Sequence, residues 1–188
     1  MISSILLAAG QSKRMLGENK LTKNFNGVPL IIHSVKNILD SSVDKLIIVT
    51  GYQKEIVEKL IDKNEKIKII YNPDFNSGMA SSIKKGLTNL PMKSEAFFIC
   101  LGDMPLVKPK IYNQIIKYKK KNEIIIPSYK KQQGNPILFS ISIKKKIMSI
   151  KGDIGAKKII ELNKNKIFNF ETNDKAVTIN FNTQDKFI

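Results

Sequence analysis

Short apolar runs alternate with amphipathic stretches along this chain, and few folds accept that rhythm. Residues 2–9 are almost continuously apolar and stop at Gly10, which predicts a strand buried on both faces. Residues 29–39 place Leu30, Ile31, Ser34, Val35, Ile38 and Leu39 at helical spacing, with Pro29 acceptable at a helix start. Residues 45–50 predict a second strand closed by Gly51, and 54–61 a helix with Ile56, Val57, Leu60 and Ile61 on one face. A third strand is expected over 67–71, a polar turn over 72–78, a helix over 80–90 and a very apolar strand over 96–101. The rhythm continues as a helix over 112–118 and a strand over 123–127, then loosens. Beyond it we expect a strand over 134–139, helices over 141–150 and 152–162, and closing strands over 167–170 and 177–181. Strand–helix alternation of this kind predicts an α/β fold, a mostly parallel central sheet flanked by helices. No linker or internal repeat interrupts it, so residues 1–188 read as one domain.

Composition removes several classes of function. With 42% hydrophobic and 26% charged residues the chain has a globular profile. No apolar run approaches the roughly 20 residues of a membrane span. The first residues lack the basic region of a signal peptide, so a cytoplasmic location is expected. One cysteine, Cys100, excludes a disulfide framework and a cysteine-based zinc site, and one histidine, His33, leaves no histidine cluster for a metal. Cys100 falls in an apolar strand and reads as core; His33 reads as a packing or surface residue of its helix. The formal charge of +16 invites a nucleic-acid reading. Yet Arg14 is the single arginine, whereas specific nucleic-acid contacts favour arginine forks. Abundant lysine, asparagine and isoleucine together are what AT-rich coding produces. The lysine runs at 119–121 and 144–146 read as solvated helix faces, and no nucleic-acid partner is expected.

In open parallel sheets ligands gather beyond the carboxyl ends of the strands. Three segments fall there. The first runs from Leu7 through Ala8, Ala9, Gly10 and Ser12 to Arg14, and on to Lys20. Its small residues let backbone N–H groups approach an anion, and Arg14 and Lys20 add a fork and a point charge for a polyphosphate. Neither the Walker A nor the dinucleotide glycine spacing is present, and an ordinary strand-to-helix turn carries similar letters. The second is Gly102-Asp103, where a carboxylate is able to hold Mg²⁺ against phosphate oxygens or, alternatively, to cap a turn. The third, residues 72–83, ending Gly78-Met79-Ala80-Ser81-Ser82-Ile83, suits a base and ribose, although a capped helix predicts the same residues.

The order and spacing of these segments carry more than any one of them. Together LLAAGQSKRM with Lys20, LIIVTGY, IIYNPDFNSGMASSI, LGDMPLV, QGNPILF and INFNTQDKF span nearly the whole chain. This series resembles the molybdenum-cofactor nucleotidyltransferases, a MobA-like group with a Rossmann-related GT-A-type fold, and within it the cytidylyltransferase branch. The resemblance implies that Leu7, Ala8, Ala9, Gly10 and Ser12 line the nucleotide pocket, with Arg14 and Lys20 on the triphosphate. It implies Gly78 and Ser82 near base and ribose and Asp103 as the Mg²⁺ ligand. Gly134, Asn135 and Pro136, with the segment Gly152-Asp153-Ile154-Gly155-Ala156, would face a molybdopterin-type acceptor. Arg14, Lys20 and Asp103 would then be catalytic. The acceptor phosphate itself would attack the α-phosphorus, so that the protein has only to position two anions and neutralise charge.

Two features of the resemblance pull apart. Ala9 goes with cytidylyl transfer, guanylyl-transferring relatives tending to glycine there, and a methyl shrinks the pocket toward a smaller base. Asn180-Phe181-Asn182-Thr183 replaces the acidic motif with which the cytidylyl branch usually ends, and is closer to the guanylyl pattern. An amide oxygen is a weaker Mg²⁺ ligand than a carboxylate, so Asn180 stands as a weak second metal contact. The expectation is a Mg²⁺-dependent cytidylyltransferase using CTP. Guanylyl transfer from GTP and transfer to a sugar or alditol phosphate are the alternatives within the class, and a basic nucleic-acid-binding module is the alternative outside it. A molybdoenzyme or its chaperone is a possible protein partner.

Overall fold

The structure is a computed structural model and describes residues 1–11, 18–149, 160–161 and 163–182. Its strands are β1 (Ile2–Ala8), β2 (Asn24–Phe25), β3 (Val28–Pro29), β4 (Lys45–Thr50), β5 (Ile67–Tyr71), β6 (Ala96–Leu101), β7 (Ile124–Tyr129), β8 (Gln132–Gln133), β9 (Ile137–Ser140) and β10 (Ile167–Glu171). The helices are α1 (Leu30–Leu39), α2 (Lys54–Lys59), α3 (Met79–Thr88), α4 (Pro109–Ile116) and α5 (Lys144–Met148). The central sheet runs β10-β7-β9-β6-β1-β4-β5, with β8 paired to β7. β1 is parallel to both β4 and β6, placing Ile5 opposite Ile47 on one side and Ile99 on the other. β9 is antiparallel to β6 and to β7, the one reversal inside the path, so β7 points the same way as β6.

Both faces of this sheet are covered, which explains why its central strands are apolar without alternation. Leu6, Ala8, Leu46, Ile48, Phe98 and Cys100 join a cluster with Leu30, Ile31 and Ile38 of α1 and Ile111 and Ile115 of α4. Their neighbours Ile5, Ile47, Val49, Phe97 and Ile99 turn the other way, onto Ala80, Ile83 and Leu87 of α3 and Ile147 of α5. Each such fully buried side chain contributes about 1.5–3 kcal/mol relative to exposure. Phe97 and Phe139 stack across β6 and β9 at 5.7 Å, pinning the antiparallel strand in register. Buried Ser3 and Ser4 in β1 are satisfied by the Ser94 hydroxyl at 2.8 Å and the Cys100 thiol at 3.1 Å.

The α/β architecture and its mostly parallel sheet match the sequence expectation, with several local differences. α4 begins at Pro109, earlier than 112, because proline suits a first helical turn. A small hairpin, β2–β3, turns on Asn26 and Gly27, both with positive φ; the Asn-Gly pair was its signal in the sequence. The helix expected over 141–150 is a 3-10 turn, Ile141–Ile143, followed by α5, and residue 150 lies outside the described residues. Of the helix expected over 152–162, residues 152–159 and Leu162 also lie outside them.

The closing strand expected over 177–181 does not form. Residues Lys175–Thr178 make a 3-10 turn, started by the Asp174 carboxylate accepting from the Ala176 N–H at 2.9 Å. The chain leaves the turn with Ile179 extended and reaches the Asp103 loop, where the Phe181 N–H donates to the Asp103 carbonyl at 2.8 Å. The apolar alternation over 177–181 reflects this docking, with Val177 and Phe181 buried, and not a ladder partner. No helix among the described residues is long and apolar enough to cross a membrane.

Candidate functional site

The carboxyl ends of β1 and β6 open into a cleft of about 460 Å³. Lys20 enters it from a 3-10 turn, Lys20–Thr22, whose start is capped by the Asn19 side chain accepting from the Leu21 N–H at 3.1 Å. Leu21 is buried beneath, and the Asn19 amide donates to the Tyr52 carbonyl at 3.3 Å, so the turn has little freedom to move the lysine. From the opposite wall comes Asp103, 8% exposed, at the end of β6. The Lys20 ammonium donates to Asp103 Oδ2 at 2.5 Å and to Asn182 Oδ1 at 2.8 Å. Three remote parts of the chain thus converge on one cation.

The Asp103 loop is pinned from below. Gly102 N–H donates to the Leu7 carbonyl at 3.1 Å, Ser34 Oγ to the Gly102 carbonyl at 3.1 Å, and Asn37 Nδ2 to the Pro105 carbonyl at 2.9 Å. Ser34 and Asn37 are buried polar residues on the core face of α1, and sequence reasoning missed their role. The available signal was a serine and an asparagine, three positions apart, on an otherwise apolar helix face.

The other end of the cleft holds the turn after β5. Gly78, Met79 and Ser82 line it at the start of α3, together with Phe75 and Asn76. Gly78 has φ 106°, a conformation that favours glycine. Asn72, buried, donates from one amide to the Ser81 and Ser82 hydroxyls at 2.9 and 3.1 Å, so Ser82 is oriented before any ligand arrives. Gln11 donates to the Asn76 side-chain oxygen, joining the two lips of the cleft. Ala9 forms part of the wall where β4 ends, and space there is tight: a Cβ on Gly51 would lie 2.7 Å from both the Ala9 and Phe75 Cβ atoms.

Of the residues singled out in the sequence, Leu7, Ala9, Gly10, Lys20, Gly78, Ser82, Asp103 and Asn180 line this cleft. Ala8 points into the core. Gly134, Asn135 and Pro136 do not line it. They sit between β8 and β9, where Asn135 N–H donates to the Val177 carbonyl at 2.8 Å, and reach the cleft only through the segment that continues to Asn180 and Asn182. Ser12, Arg14 and the segment 152–156 lie outside the described residues. Asn182, which accepts from the Lys20 ammonium, is the second asparagine of the Asn180-Phe181-Asn182-Thr183 motif, and nothing in its residue type set it apart from the first.

Among the described residues no group of three or more His, Cys, Asp or Glu side chains could cage a metal. One carboxylate with amide oxygens nearby suits an ion that arrives with phosphate oxygens and water as its other ligands, which is the Mg²⁺ habit. Nor is a thiol nucleophile at hand. Burial pushes the Cys100 thiol up to about 12, and it faces Ser4 in the core. His33 is committed to the Phe25 carbonyl at 2.8 Å and stands edge-on to the Phe25 ring.

Such a cleft, at the strand ends of a mostly parallel sheet, with a lysine against a lone carboxylate and a small-residue loop, defines a protein that handles nucleoside phosphates. The MobA-like NTP transferase domain family matches residues 4–167, and the chain belongs to that family; it is a nucleotidyltransferase. The molybdenum cofactor cytidylyltransferase of Escherichia coli (strain K12) is 31% identical over 139 residues, covering 74% of this chain and 70% of that protein. A probable molybdenum cofactor guanylyltransferase of Methanosarcina mazei is 28% identical, covering 72% of this chain and 61% of that one. Among solved structures, Rv0371c of Mycobacterium tuberculosis H37Rv superposes with a TM-score of 0.86 at 21% identity, covering 99% of this chain and 94% of that one. At that identity the likeness concerns the fold alone.

Proposed function

We propose that this protein transfers a nucleotidyl group, CMP from CTP, to the phosphate of a molybdopterin-type molybdenum cofactor, releasing pyrophosphate. The observation that carries the reading is the Lys20–Asp103–Asn182 cluster on the wall of a nucleotide-sized cleft. An acceptor phosphate oxygen forms the new bond to the α-phosphorus while the bond from that phosphorus to the bridging oxygen breaks, pyrophosphate leaving with the electron pair. No side chain need become covalently attached. Lys20 is placed to neutralise charge that develops on the phosphates, and its two oxygen partners hold the ammonium in position before the substrate binds. Asp103 would hold Mg²⁺ brought in with the nucleotide, Asn180 contributing an amide oxygen at most; the ion would supply further charge neutralisation. Arg14, six residues before Lys20 in the sequence, is assigned to the triphosphate on that position alone.

The choice of base rests on Ala9. Ala9 and Phe75 both line the cleft, and a methyl at position 9 takes up space that a glycine would leave open to a larger base. The relative named as a cytidylyltransferase agrees with this. A second reading, GTP as donor, is favoured by Asn180 and Asn182 standing where acidic residues would suit the cytidylyl pattern. Pyrophosphate release with molybdopterin and Mg²⁺, measured with CTP against GTP, separates the two. Release with CTP is expected; release only with GTP reverses the choice of base, and release with neither overturns the function.

A further inference from the structure

Between β7 and β8 the chain turns on two residues, Lys130 and Lys131, and both have positive φ, 49° and 66°. Tyr129 pairs with Gln132 across them, so this is a two-residue hairpin in the geometry that favours Asn-Gly. Two consecutive left-handed lysines are a strained choice, and strain of that kind persists where the surroundings hold it. Here Glu171 holds it: its Oε2 accepts from Ser128 Oγ at 2.6 Å and its Oε1 from the Lys131 N–H at 3.4 Å. That carboxylate holds the backbone of the turn and also feels the Lys131 charge, while both lysines stay exposed to solvent, Lys130 over the Tyr129 ring at 5.5 Å.

The hairpin stands at a telling place. β7 runs parallel to β6, so its carboxyl end lies on the same edge of the sheet as Asp103, two strands away. At the usual spacing between strands that is about 10 Å. The base end of the cleft lies on the opposite side, beyond β4, with Phe75 and Gly78. A second substrate whose phosphate reacts beside Lys20 and Asp103 must therefore extend away from the base, over β9 and β7. β8 also packs against the 3-10 turn that carries exposed Lys175 and leads into Asn180 and Asn182.

We propose that Lys130 and Lys131 form the distal anion site of the acceptor, selecting a phosphorylated acceptor that carries a second negative group about 10 Å from the reacting phosphate. The inference rests on the nucleotidyl-transfer reading above. It also accounts for lysines at positions where asparagine and glycine would fold more easily.

That last point supplies a clean variant. Lys130→Asn with Lys131→Gly removes both charges and relieves the turn, so loss of folding does not confuse the result. Equilibrium binding of molybdopterin and of CTP to the full chain, with and without the double substitution, is the test, alongside thermal melting and pyrophosphate release. The double variant is expected to melt at a higher temperature, to bind molybdopterin at least five-fold more weakly, and to bind CTP within two-fold of the parent. Equal molybdopterin affinity in the two proteins overturns the hairpin site. A parent that binds molybdopterin, with the affinity lost in the variant, but transfers no nucleotide sinks the reaction and leaves the anion site standing. A parent that binds no molybdopterin overturns both.

Discussion

Lys20 and Asp103 are 83 residues apart in sequence and share a proton-donating contact, with Asn182 completing the set from the far end of the chain. The charge on Asp103 and its hydrogen-bonding shape are separable. Asp103→Asn keeps an oxygen for Lys20 but removes the charge that would hold a metal; Asp103→Ala removes both. We expect both variants to lower pyrophosphate release by about 10²–10³-fold, the usual scale for removing one electrostatic contributor to a transition state. Lys20 retains Asn182 as a partner in either case, so far-UV circular dichroism should not change. Activity within ten-fold of the parent in Asp103→Asn would show that its negative charge is dispensable. At this scale residue type in the segments that follow the strands sufficed to place Lys20, Gly78 and Asp103 at the cleft, which is all that the geometry tests. Residue type was silent on Ser34 and Asn37, because a buried serine on a helix face looks the same whether it back-bonds its own helix or stitches a neighbouring loop.

Among the elements, the segment after β10 differs most from expectation, and Gly134 shows why it takes the path it does. A Cβ at Gly134 would lie 2.1 Å from the Val177 carbonyl oxygen and 2.6 Å from its carbon, backbone atoms with no rotamer to yield. The 3-10 turn Lys175–Thr178 is therefore pressed against the Gly134–Asn135 backbone, and this contact aims residues 179–182 at the cleft. Gly134→Ala is predicted to destabilise the protein by about 1–3 kcal/mol through overpacking, measured as a lower urea midpoint. Gly134 does not have positive φ, so the cost isolates the clash. Displacement of Asn182 from Lys20 should lower turnover as well, and an unchanged midpoint would contradict the packing. Strand alternation in residues 177–181 was misleading for the same reason. Periodicity reports which side chains are buried, not what buries them, and here the cover is a loop edge and Phe25, whose ring meets Phe181 at 4.8 Å. The antiparallel direction of β9 was equally hidden, since it depends on pairing with β6, 41 residues before it, and not on its own letters.

Across the whole molecule lysine and arginine outnumber carboxylates 32 to 16, and two of those carboxylates, Glu123 and Glu171, stand at an edge of the sheet. β10 is an edge strand, and a glutamate clamps each end of its pairing with β7. Before the strands, Lys166 Nζ donates to Glu123 Oε1 at 2.6 Å, and that hydrogen bond holds the Glu123 carboxyl below the ordinary range. After them, the Ser128 hydroxyl lowers Glu171 in the same direction. A carboxyl whose folded pKa lies below its unfolded value binds fewer protons when folded. Its stabilising contribution is therefore complete above the unfolded value of about 4.3 and is lost as pH falls through the lower folded value. Both groups are exposed to solvent, so each contribution is small. Yet they act on one strand, and every carboxylate protonated raises a net charge that already stands at +16. Acid should accordingly loosen β10 before it loosens β1, which is paired on both sides. Amide hydrogen exchange between pH 5 and pH 3, corrected for intrinsic rates, should show protection falling first over Ile167–Glu171 while Ile2–Ala8 stays protected. The double variant Glu123→Gln, Glu171→Gln should already exchange faster over β10 at pH 5 and change little more on acidification. Loss of protection at the same pH in both strands of the parent would mean that acid unfolds the sheet as one unit and that the two glutamates have no local role.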